Sequence, residues 1–194
     1  MPNTTHAPTQ QHPLRLPALD TSTEQLSLAL GLWQANTATP TQLWQHTGAG
    51  AAQSSATLIP AIQHLLAQAN MALTQLGAIV FGNGPGSFTG LRTACSVAQG
   101  LALGANLPVL PINTLLATAQ DWHSRHAPPQ TSGSIWALLD ARMDEIYAEH
   151  WQWHTTGSGT ATRTQWHCAS PACLIKPEQL LQLPGITPTA TCAG

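Results

Sequence analysis

Between residues 82 and 92 the chain reads Gly82-Asn83-Gly84-Pro85-Gly86-Ser87-Phe88-Thr89-Gly90-Leu91-Arg92. Alternate glycines around a proline open backbone angles that other residues avoid. Such a loop can turn its N–H groups toward an anion, and a helix N-terminus behind it adds partial positive charge. Ser87 and Thr89 are suitable N-caps for that helix. One reading is therefore a phosphate or nucleotide site. The other is a tight strand-to-helix turn packed against a neighbour, and the residues favour it. No Lys follows the glycines, the spacing is not that of a dinucleotide fingerprint, and Arg92 is the only nearby cation.

Other reactive residues fall into weaker patterns. Asp20 and Asp140 each end an apolar run, where a carboxylate can meet magnesium or phosphate, or bond its own backbone in a turn; the turn reading is preferred. Ser87 lacks the Gly-x-Ser-x-Gly spacing of a nucleophile elbow. His167, Cys168 and Cys173 match no standard zinc spacing, and His123, His126, His150 and His154 read as ordinary solvated histidines. Trp151 and Trp153 alternate with His150 and Gln152, giving one aromatic strand face. Packing between lobes suits that face better than base stacking. No catalytic residue and no metal site is assigned.

The elements that would position the loop follow from periodicity. Leu14–Leu19 and Leu26–Leu30 read as strands around a polar turn, and the stretch 31–53 has room for an edge strand. Ser54–Asn70 has helical spacing, with Pro60 expected to delay or bend it. Leu76–Phe81 is a strand leading into the loop. A helix follows over Thr89–Ala105, then a strand Leu107–Ile112 and a helix Thr114–Arg125. Ile135–Leu139 and Ile146–His154 are further strands, with a loop or hairpin over Thr155–Thr164. A short helix is expected over Pro177–Leu183, and a last strand begins in Pro188–Cys192. Alternating strands and helices define an α/β protein. The Pro- and Gly-containing stretch His126–Ser134 divides it into a first unit, 14–126, and a second, 134–194, after a leader over residues 1–13. Leu19-Asp20-Thr21-Ser22-Thr23-Glu24-Gln25-Leu26 lines up with Leu139-Asp140-Ala141-Arg142-Met143-Asp144-Glu145-Ile146 as a weak internal repeat.

Net charge is -2 and only 7% of the residues are charged. No global field draws nucleic acid or an anionic membrane, so any service to RNA runs through a partner. No apolar run reaches the roughly 18 residues of a membrane span. The four cysteines, Cys95, Cys168, Cys173 and Cys192, read as free thiols of a cytoplasmic protein. In the helix after the loop, Thr93, Ser96, Gly100 and Gly104 recur three or four residues apart. Small residues so spaced let another helix backbone come close. Two interior glycines cost helix stability, and close packing compensates.

The loop string, together with Ala98-Gln99-Gly100-Leu101-Ala102-Leu103-Gly104, Leu19-Asp20-Thr21-Ser22 and Asp140-Ala141-Arg142-Met143-Asp144-Glu145-Ile146-Tyr147, resembles the bacterial TsaB (YeaZ) family. Four landmarks in the right order cover residues 14 to about 176. The resemblance implies a two-lobed actin-like ATPase (ribonuclease H-like) fold. It implies a non-catalytic scaffold that pairs with the catalytic subunit TsaD and, with the ATPase TsaE, supports transfer of threonylcarbamoyl to adenosine 37 of tRNA. ATP and metal then belong to the partners, tRNA is met only through the complex, and the chain alone can form a homodimer. Leu58 and Ile62 of the first helix, with Thr93, Ser96, Gly100 and Gly104 of the second, become the interface candidates. Ser54 stands where relatives often carry His, and the chain stops at Gly194 where the family continues, so a shortened second lobe is expected. The runner-up is an actin-like nucleotide-hydrolysing enzyme.

Overall fold

A computed structural model describes residues 13–186, except 36, 51–52, 127–129, 158 and 160–161, together with the strand Cys192–Ala193. The leader, apart from Pro13, lies outside the described residues, as do Pro128 and Pro129 of the expected boundary and residues 188–191.

Strands β1 (Leu14–Asp20), β2 (Gln25–Trp33) and β3 (Gln42–Ala49) form an antiparallel meander. Helix α1 (Ser54–Gln68) leads by a short 3-10 turn to β4 (Ile79–Gly82), which pairs parallel with β1. Helix α2 (Phe88–Ala105) then returns the chain to β5 (Val109–Ile112), parallel to β4. The resulting sheet has the order β3-β2-β1-β4-β5. Helix α3 (Thr114–His126) precedes a second meander, β6 (Ser132–Arg142), β7 (Glu145–Thr156) and β8 (Arg163–Ile175), and β9 (Cys192–Ala193) pairs parallel with β6. The second sheet, β8-β7-β6-β9, repeats the order of the first four strands of the first.

α1 and α2 cover one face of the first sheet. Leu58, Ile62 and Leu65 of α1 meet Leu26, Leu28 and Leu30 of β2, and Ile79 and Phe81 of β4 complete the core. α2 buries Gly90, Ala94, Ala98 and Ala102, every fourth residue, so small side chains line the centre of its contact, with Val97 and Leu101 packed beside them. The exposed Leu103 lies beyond this contact.

The second core joins Leu115 and Ala119 of α3 to Ile135, Ala137, Trp151 and Trp153. α3 thus packs on the second sheet, although its sequence position groups it with the segment ending at 126. The aromatic face of β7 is core: Trp151 and Trp153 are 8% and 7% exposed, turned toward α3 and closed to a nucleobase.

Two local readings change. α1 starts at Ser54 and runs through Pro60 without a late start. Pro60 is exposed, so the carbonyl deprived of its helical donor lies on the wet side of the helix. β8 is not expected from the sequence, which places Arg163 and Thr164 in a loop or hairpin; as an edge strand it tolerates Pro171 and two register shifts against β7. On β5, the carbonyls of Pro108 and Ile112 accept from β4 and the residue after it. The alternation turns Pro111 toward the free edge.

Candidate functional site

The glycine-rich loop and the β1–β2 turn are built against one another. A Cβ at Gly82 would lie 1.8 Å from Asp20 Oδ2, one at Gly86 2.6 Å from Ser22 Cβ, and one at Gly90 1.7 Å from the Thr21 carbonyl oxygen. Three glycines four residues apart therefore admit three successive residues of the turn. Gly84, with φ of 101°, adopts a conformation that side chains resist. Two hydrogen bonds cross the seam, and two more brace the loop. The buried Thr21 hydroxyl donates to the Gly90 carbonyl at 2.6 Å, and Ser87 N–H donates to the Ser22 carbonyl at 2.6 Å. Asn83 N–H donates to the Ile112 carbonyl at 2.9 Å, and Gly90 N–H reaches the capping hydroxyl of Ser87 at 3.4 Å.

These bonds bear on the turn reading of the loop. The N–H groups of Asn83, Ser87 and Gly90 are spent inside the protein. Arg92 lies over the Phe88 ring, 3.7 Å from its centroid, instead of reaching back into the loop. The segment packs as a tight strand-to-helix turn against β1 and the β1–β2 turn. Thr89 caps nothing here; its carbonyl accepts from the Thr93 hydroxyl at 3.0 Å.

Asp20 and Asp140 occupy related places at the ends of β1 and β6. Asp20 Oδ1 accepts from Ser22 N–H at 2.8 Å and Ser22 Oγ at 2.5 Å; Asp140 Oδ1 accepts from Arg142 N–H at 2.9 Å. Both carboxylates hold the residue two positions on, which gives the internal repeat a structural counterpart. Among the described residues no three His, Cys, Asp or Glu side chains converge on a possible metal position. Cys168 instead donates to Glu149 Oε1 at 3.7 Å, and Cys173 to the Ala148 carbonyl at 3.4 Å.

The interface candidates separate by depth. Leu58 and Ile62 are buried in the core beneath α1. Ser96, Gly100 and Gly104 are exposed, with Phe88, Arg92 and Leu103 along the same outer side of α2, and Thr93 is half-buried. A Cβ at Gly100 or Gly104 would meet nothing within 4 Å. Among the described residues those two glycines serve no contact, in contrast to Gly82, Gly86 and Gly90.

Two groups escaped the reading of the sequence. Glu149 is 5% exposed, and its Oε2 accepts from the Asn113 side-chain amide at 2.9 Å. Asn113 also caps α3, accepting from Leu116 N–H at 2.9 Å. Glu149 shares the parity of Trp151 and Trp153 on β7, and a carboxylate in register with two core tryptophans is the signal that was available. The second group is an ion pair between Glu24 of the β1–β2 turn and Arg142 at the end of β6.

Residues 46–191 match the family described as TsaD, tRNA N6-adenosine threonylcarbamoyltransferase. With the two related sheets, that match defines the class: a two-lobed actin-like ATPase-type, ribonuclease H-like α/β fold. The chain is 38% identical over 168 residues to the tRNA threonylcarbamoyladenosine biosynthesis protein TsaB of Haemophilus influenzae, covering 87% of this chain and 66% of that protein. It is 34% identical to the protein of the same name from Escherichia coli, over 85% of this chain and 64% of that one. The structure of YeaZ from Pseudomonas aeruginosa superposes with a TM-score of 0.73 at 31% identity, covering 93% of this chain and 76% of that chain. The chain belongs to the TsaB (YeaZ) family. It spans a little under two thirds of the length of these curated relatives. Among the described residues no helix is long and apolar enough to cross a membrane.

Proposed function

We propose that the chain is a non-catalytic scaffold in the assembly that places threonylcarbamoyl on adenosine 37 of tRNA, pairing with a TsaD-type catalytic subunit. The observation that carries this reading is the outer side of α2. Gly100 and Gly104 cost helix stability, roughly 1 kcal/mol each against Ala, and among the described residues nothing uses the space they leave. A close-approaching helix of another subunit would use it. Leu103, 87% exposed, and Phe88, 68% exposed, supply apolar surface beside it. The glycine-rich loop, packed against the β1–β2 turn with the N–H groups of Asn83, Ser87 and Gly90 bonded internally, supports a scaffold over a nucleotide hydrolase. TsaE completes the assembly and tRNA is reached through it. Without TsaD the same helix face pairs two copies of the chain.

The test is analytical size exclusion with light scattering on the chain mixed with the TsaD subunit of the same organism. A stable heterodimer is expected, lost in Gly100→Leu and Gly104→Leu while circular dichroism stays unchanged. A heterodimer that survives both substitutions would remove α2 from the interface, and steady ATP turnover by the chain alone would favour the hydrolase.

A further inference from the structure

The two sheets carry separate cores, and among the described residues few side chains bridge them. Asn113, between β5 and α3, donates to the buried Glu149 of β7 where the chain crosses from the first sheet to the second. Glu24 and Arg142 join the β1–β2 and β6–β7 hairpin ends, both at the surface, with side chains 75% and 65% exposed. Open space lies around the ion pair. A cleft of about 450 Å³ separates Ser87 and Phe88 from Asp140 and Tyr147. Another, of about 750 Å³, separates Asp20 and Thr23 from Asp121 and Leu139. Arg142, Met143 and Asp144 all have positive φ, 65°, 55° and 58°, so the hairpin end that carries the arginine is held in a sparsely populated conformation.

We infer that Glu24–Arg142 is an electrostatic latch that holds the two lobes together over the clefts between them, and that the lobes swing about the part-buried Asn113–Glu149 contact. The division of labour follows from burial. A hydrogen bond onto a buried carboxylate is costly to break, because Glu149 is left away from water without that partner. An exposed ion pair is weak and screened by salt. The first fits a pivot, which persists through the motion. The second fits a latch, which has to open at ordinary temperature. Small packing areas between lobes leave relative motion as the default, so a weak contact at the hairpin ends suffices to shift the balance.

The test is a distance measurement by pulsed electron resonance. Spin labels are carried on p-acetylphenylalanine at Gln45 and Gln165, exposed positions on the two sheets, which leaves the native cysteines untouched. Glu24→Gln is expected to raise the population of the longer or broader distance component about twofold to fivefold, and 1 M potassium chloride to do the same to the unsubstituted protein. The reversed pair, Glu24→Arg with Arg142→Glu, is expected to restore the original distribution at low salt. A Glu24→Gln distribution that superimposes on the unsubstituted one would overturn the latch. Failure of the reversed pair to restore the distribution would overturn its electrostatic origin.

Discussion

The hydroxyl of Thr21 donates to the carbonyl oxygen of Gly90 at 2.6 Å across 69 residues of sequence. Both partners are buried, and the same pair marks the closest backbone approach in the glycine-rich segment, since a Cβ on Gly90 would fall 1.7 Å from the Thr21 carbonyl. This contact fixes the start of α2 on the end of β1, and so fixes the helix whose outer side is free.

Thr21→Val keeps the side-chain shape and removes the donor. The Gly90 carbonyl is then buried without that partner, a loss of about 1–3 kcal/mol. Urea unfolding monitored by tryptophan fluorescence is expected to show a lower midpoint with the same slope.

The glycines divide into two classes with opposite responses to alanine. Gly90→Ala forces backbone against backbone and is expected to cost about 3 kcal/mol or more. Gly100→Ala and Gly104→Ala enter open space on a helix and are expected to stabilise the isolated chain by about 0.5–1 kcal/mol each. Melting temperatures of the three single variants check the sign.

Asn113→Ala removes the α3 cap and one partner of Glu149 together. A loss of about 2–4 kcal/mol is expected, the sum of a cap and a hydrogen bond to a charged group. In Glu149→Leu, Asn113 keeps its capping bond, so a smaller loss in that variant than in Asn113→Ala would assign the larger share to the cap.

Burial lowers the pKa of His123 and His150 below the ordinary 6.5. His123 sits edge-on to Trp153 and Trp166, with ring centroids 5.5 and 5.7 Å away, and His150 stacks on Trp136 at 4.8 Å. The unfolded chain takes up these protons first as the pH falls. Their contribution is therefore complete above 6.5 and is lost as pH drops through the lower folded values. Imidazole resonances of the two histidines are expected to titrate below 6.5, and stability to decline over the same range.

Burial, and then the neighbouring Glu149, push the Cys168 thiol upward from its ordinary pKa. At pH 8 it is expected to alkylate with iodoacetamide more slowly than free cysteine. Glu149→Gln is expected to speed the reaction, read by peptide mass spectrometry.

What could be read from the sequence was what repeats or alternates locally. The period-two pattern of β2 and the helical spacing of Leu58, Ile62 and Leu65 gave the covering of the first sheet, and the matching strings at Asp20 and Asp140 gave the related turns. Contacts across long separations had no such signature. Nothing local says that Gly82, Gly86 and Gly90 meet Asp20, Ser22 and Thr21, or that α3 buries Leu115 and Ala119 on strands still to come. β8 was obscured by Pro171 and by the half-exposed alternation of an edge. The Gly100 and Gly104 row was legible as a pattern, while its emptiness inside the chain required the coordinates.

Pro111 on β5 bears on self-association of such a weakly charged chain. With 14 charged side chains among 194 residues, six basic and eight acidic, mutual repulsion between copies is feeble. A bare sheet margin with Val109 and Leu110 exposed would otherwise invite another copy to extend it. Pro111 has no N–H to offer there, so an incoming strand finds its ladder interrupted after one step. That margin is thereby a poor template for a further strand, whereas the helical side of the sheet presents no backbone ladder at all.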